Sequence, residues 1–139
     1  MTTMTQTVRS LVSTRDDGGF LRLALRLDAA ASGALGVVAL AAAPAMSDLL
    51  GPGAGALRGI GAFLVAYAAG LVLLAGLRTI PRPAAWTVVV GNLVWAVGTA
   101  VLAFAVHELT TTGTAVVLAQ AVAVVAFAEL QWVGLRRTR

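Results

Sequence analysis

The chain has no cysteine. Disulfides, thiolate metal sites and thiol redox chemistry are therefore excluded. Lysine is absent as well, so all ten basic residues are arginine. There is a single histidine, and one imidazole without thiolates gives no basis for a dedicated metal site. His107-Glu108 opens like a zinc-protease helix motif, but Thr111 stands where the second histidine is required. No glycine-rich phosphate loop follows a strand pattern, and no Ser/His/Asp set is available inside the membrane. Catalysis has no positive support, and the expectation is a protein without enzymatic activity, cofactor or metal. Charge is also scarce, at 12% of residues against about 25% in soluble domains.

What is present in excess is apolar sequence. Hydrophobic residues make up 59% of the 139, and the mean hydropathy is +0.91. Four uncharged apolar stretches, 29–45, 59–77, 84–106 and 109–128, account for most of this. A bilayer core needs about 20 apolar residues in helical form, so each is long enough or nearly so. The expectation is an all-α, four-helix transmembrane bundle with spans near 27–46, 58–78, 84–106 and 112–135. Residues 20–137 then form a single transmembrane domain, and the Thr-rich, polar residues 1–19 form a flexible cytoplasmic arm. Within 20–27, Phe20, Leu23, Ala24 and Leu27 share one helical face and Arg22 and Arg26 another. Those arginines are expected to snorkel to lipid headgroups.

The connectors are short. Ala43-Pro44-Ala45 resembles a signal-peptidase site, but the preceding polar region is too long, and Pro44 is better read as ending or kinking the first span. Residues 46–58 contain Gly51-Pro52-Gly53 and are expected to be irregular. Pro83 suits the first turn of the third helix, and the threonines at 110–112 are N-cap candidates for the fourth. Short connectors make consecutive helices antiparallel neighbours, which gives an up-down-up-down order. Ser32-x-x-x-Gly36 and Ala66-x-x-x-Gly70 permit close helix approach. Gly76-Leu77-Arg78 and Gly134-Leu135-Arg136 end the second and fourth spans alike, a faint sign of a two-helix repeat.

All the arginines except Arg58 fall on one side of this arrangement. The positive-inside rule puts that side, with both termini, in the cytoplasm. The same arginines favour anionic lipid at about 1 kcal/mol each, so the bilayer, and not nucleic acid, is the expected partner. The location implied is a bacterial cytoplasmic membrane crossed several times.

Polar residues inside the spans are the functional candidates, because an ionisable group at mid-membrane costs roughly 2.5–3.5 kcal/mol. Asp28, Ser32, Tyr67, Asn92, Trp95 and Glu129 form a candidate intramembrane polar site towards the cytoplasmic side. Asn92 lies about 12 Å into its span and Glu129 about 9 Å from the end of its own. Gln120 and Gln131 are eleven residues apart and share a second polar face of the fourth span. Glu129 is nine residues from Gln120, on the opposite face, with Arg136 available for pairing. Asp28 is expected to meet water and Arg22 or Arg26. Asn92, Trp95 and Thr99 make one stripe, and Trp86 and Trp132 read as interfacial anchors.

Asp28-Ala-Ala-Ala-Ser-Gly33, Gly91-Asn92-Leu-Val-Trp95, Gln120-Ala121 and Phe127-Ala-Glu-Leu-Gln131 resemble a group of uncharacterised small four-span integral membrane proteins of actinobacteria. The resemblance covers most of residues 20–137. It implies a membrane location and a helical bundle, and it supplies no activity.

Taken together, these features predict a non-enzymatic bundle acting through helix contacts, as a homo-oligomer or a subunit of a membrane complex. The alternatives are a small proton- or cation-linked carrier or channel using Asp28, Asn92 and Glu129, or a bundle that binds a lipid or quinone beside Trp95 and Tyr67. The direction of Glu129 discriminates: inward beside Asn92 and Asp28 favours the carrier, outward the subunit contact or snorkelling to the interface beside Arg136.

Overall fold

A computed structural model describes residues 17–138. Most of the expected arm, with Arg9, Arg15 and Arg139, lies outside the described residues. Within them the chain is all-helical: α1 Gly19–Ala41, α2 Ala43–Leu50, α3 Ala54–Gly76, α4 Arg82–Ala105 and α5 Thr111–Arg137. Four of these, α1, α3, α4 and α5, are long and apolar enough to cross a membrane. The protein is a membrane protein by this measure.

The first helix starts well before residue 27, at Gly19. Its buried face is Leu21, Ala24, Leu25 and Asp28, a stripe at i, i+3, i+4 and i+7. Leu23 and Leu27, expected beside Ala24, are instead 53% and 47% exposed. The reason is the solvent: lipid is as apolar as leucine, so hydrophobicity does not decide which face turns inward. Large side chains therefore line the exterior freely, as with Leu73 and Phe104.

The first connector also differs from expectation. The chain breaks at Ala42 and resumes as α2, with Pro44 in its first turn, where the missing N–H is harmless. Residues 46–50 are therefore helical, and only the Gly51-Pro52-Gly53 stretch is irregular. Pro83 does sit in the first turn of α4. Thr110 is the N-cap of α5, its hydroxyl accepting from Gly113 N at 2.9 Å.

The closely packed pairs of long helices are α1 with α3, α1 with α5, and α4 with α5. At one end of the molecule the start of α1 meets the ends of α3 and α5. Arg22 donates to the carbonyls of Ala75 and, at 2.8 Å, Leu77. Arg82, at the start of α4, donates to Leu135 O at 3.0 Å. Both guanidiniums thus satisfy carbonyls that a helix C-terminus leaves open. This arginine end holds the hydrophobic core cluster, where Leu21, Leu25, Leu71 and Leu135 are fully buried. Further along, α1 and α3 cross at Gly36 and Gly61. A Cβ added to either would stand 2.8 Å from the other's carbonyl oxygen, so only glycine permits this approach. Gly70 has open space around it and plays no part in the crossing.

Candidate functional site

Asp28 faces inward on the same stripe as Leu21 and Leu25 and is 1% exposed. Its Oδ1 accepts from Ser32 Oγ, one turn along α1, at 3.0 Å. Its Oδ2 accepts from Asn92 Nδ2 of α4 at 2.8 Å and from Gln131 Nε2 of α5 at 2.7 Å. Tyr67 of α3 places its hydroxyl 3.4 Å from Asp28 Oδ2 and 2.7 Å from Asn92 Oδ1. The second hydrogen of Asn92 Nδ2 goes to Gln131 Oε1 at 3.0 Å. All four long helices thus contribute to one closed set around a single carboxyl. Among the described residues no buried side-chain nitrogen or oxygen lacks a partner.

The partners of Asp28 among the described residues are all neutral. The expected approach of water and arginine does not occur, because Asp28 is sealed in the core. Arg22 is committed to α3 carbonyls, and Arg26 is exposed. Burying a carboxyl normally requires pairing or full hydrogen bonding, and here hydrogen bonding alone meets that need.

A second polar set lies further from the arginine end, between α4 and α5. Trp95 Nε1 donates to Gln120 Oε1 at 3.2 Å, and Gln120 Nε2 donates to Thr99 Oγ1 at 3.0 Å. Thr99 returns its proton to the Trp95 carbonyl at 2.9 Å. The expected stripe of Asn92, Trp95 and Thr99 is therefore present, but it serves two different networks.

Between the two networks is a cavity of about 130 Å³. Ser32, Tyr67, Asn92, Trp95 and Gln120 supply its polar lining; Leu35, Leu64, Val124 and Phe127 are among its apolar walls. It sits where α3 and α4 do not pack closely on each other. Phe63 occupies that gap. It is 54% exposed, yet its ring stacks on Trp95 of α4 at 5.5 Å and on Tyr67 at 6.2 Å between centroids. The cavity is thus bordered by an aromatic row that bridges two helices.

Glu129 is not part of this site. It is exposed and lines a separate outer groove with Trp86, Leu93 and Trp132. The Arg136 guanidinium lies over the Trp132 ring, 4.8 Å from its centroid, a cation–π contact in place of the expected pairing with Glu129. Gln131 takes the inward position on α5. Sequence reasoning grouped it with Gln120 rather than with Asp28, although the helical wheel already opposed it to Glu129. Phe63 was missed altogether; its spacing of four from Tyr67 was the available signal.

Among the described residues no group of three His, Asp or Glu side chains gathers to hold a metal. The arrangement is suited to reversible, non-covalent binding: a half-open cavity, a polar wall fixed by its own hydrogen bonds, and aromatic faces. No known family model, curated protein or solved structure matches the chain.

Proposed function

We propose that the protein is a membrane-embedded binding bundle for a small lipophilic molecule, without a catalytic step. In this reading the four spans run up-down-up-down in a bacterial cytoplasmic membrane, with both termini inside, like the actinobacterial four-span proteins that the sequence resembles. The observation that carries it is the cavity between the two polar networks, lined by all four long helices. Ligand sites are typically concave and apolar with a few fixed polar groups, and intramembrane polar clusters are functional candidates by default. Gly91 gives a direct test. It lines the cavity, and a Cβ there meets nothing within 4 Å. Gly91→Leu should fill the space while the protein stays folded. Native mass spectrometry from mild detergent should show a small retained or added ligand on the wild type and its loss in Gly91→Leu. Equal occupancy in both would remove the cavity from consideration.

A second reading follows from the outward Glu129. A carboxyl on the lipid-facing side of α5, beside Trp86 and Trp132, favours a contact between copies of this chain through the α4/α5 face. Size measurement in mild detergent tests it. A strict monomer, unchanged by Glu129→Ala, would leave the reading without support.

A further inference from the structure

We infer that the cavity selects an organic cation carrying N–H donors, a protonated amine with an apolar body, and rejects neutral acceptors such as quinones. This rests on the binding-bundle reading above and names the ligand class for the same site.

The first argument is the direction of the hydrogen bonds. Ser32 spends its hydroxyl proton on Asp28. Tyr67 spends its own on Asn92 and Asp28. Both hydrogens of Asn92 Nδ2 are used, as is the indole N–H of Trp95. Of the polar groups lining the cavity, only one Gln120 amide hydrogen is left to offer a ligand. What Ser32 and Tyr67 still present is oxygen lone pairs. A quinone carbonyl needs donors and finds almost none. An ammonium N–H needs acceptors and finds two hydroxyl oxygens, each backed by Asp28.

The second argument is charge. Asp28 is a buried carboxyl, and among the described residues no cation pairs with it. Arg22 and Arg82 are held by helix-end carbonyls. Arg136 and Arg137 lie over the rings of Trp132 and Phe20. A bound ammonium brings the missing counter-charge, and in surroundings of low dielectric such a pair interacts strongly over several ångströms. The ring faces of Trp95 and Tyr67 add to the same preference, because the face of an aromatic ring attracts cations.

The test uses Trp95 as reporter. With Trp86→Phe and Trp132→Phe, it is the one tryptophan remaining of the three. Benzylammonium and benzaldehyde are matched in size; the first is a cationic donor and the second a neutral acceptor. Titrated against the protein in mild detergent, benzylammonium should quench Trp95 saturably and bind about tenfold tighter or more than benzaldehyde. Ser32→Ala should weaken benzylammonium several-fold and leave benzaldehyde unchanged. Asp28→Asn, where it folds, should abolish the preference; Ser32→Ala keeps the proposal testable if it does not. Benzaldehyde binding as tightly as benzylammonium overturns the cation inference while the binding-bundle reading stands. Absence of a saturable response to either probe removes both.

Discussion

Gln131 Nε2 stands 2.7 Å from Asp28 Oδ2, joining positions 103 residues apart. This bond, with the Asn92 bond beside it, fixes how α5 is rotated against α1. Gln131→Leu removes a donor from a buried carboxyl and leaves Asn92 Nδ2 without its second acceptor. Interhelical polar contacts in membranes contribute about 0.6–2 kcal/mol. Thermal unfolding in mild detergent should show this loss. In an Asp28→Ala background the effect should shrink, since residues of one network are not additive. A fully additive double mutant would show that the bond contributes nothing of its own.

Glu129 supplies the contrast, two residues away on the same helix. It is exposed in the outer groove, so Glu129→Gln should change stability by no more than about 0.5 kcal/mol. It should also leave Trp95 fluorescence untouched. If this substitution proves as damaging as Gln131→Leu, α5 is not rotated with Gln131 inward and Glu129 outward.

The contrast also marks what the sequence does and does not disclose. Four long helices are legible because an uncharged apolar run of about 20 residues matches the thickness of a bilayer core. Asp28, Ser32, Tyr67 and Asn92 are legible as polar breaks, since each would be costly facing lipid, and they do converge. Helix rotation is much harder to read. In water a leucine stripe points inward; here Leu23 and Leu27 face outward as readily as Leu21 and Leu25 face inward. Charge then misleads: Glu129 attracts attention, while the neutral amide of Gln131 does the inward work. The start of α1 is obscured for a related reason. Arg22 reads as a headgroup residue, but its guanidinium caps the end of α3, a contact only tertiary packing creates. Helix α2 is hidden by its flanking proline and glycines.

The α1/α3 crossing makes a prediction that separates two sequence motifs. At Gly36 and Gly61 a Cβ would stand 2.8 Å from backbone oxygen. Backbone cannot yield as a flexible side chain does, so Gly36→Ala or Gly61→Ala should destabilise by about 1–3 kcal/mol. Gly70 has the same small-residue spacing from Ala66 but nothing within 4 Å of an added Cβ. Gly70→Ala should be neutral or slightly stabilising, because alanine favours a helix interior over glycine by roughly 0.5–1 kcal/mol. Thermal unfolding of the three variants side by side checks this. Similar losses in all three would mean that spacing, and not the observed approach, governs the packing.

The proposed orientation is open to a direct test because the chain has no cysteine. Asp48, on α2, and Thr79, between α3 and α4, are both exposed and lie beyond opposite ends of α3. The arginines that cluster at the Thr79 end, among them Arg22, Arg78, Arg82 and Arg136, argue that this end stays inside. Among the described residues only Arg58 stands near the other. Asp48→Cys should therefore react with a membrane-impermeant maleimide in intact cells. Thr79→Cys should react only after the membrane is opened. Equal labelling of both in intact cells would indicate insertion in two directions, which so one-sided an arginine distribution opposes. Reversed labelling would turn the bundle over and put the Asp28 network, near the arginine end, in the outer leaflet instead of the inner.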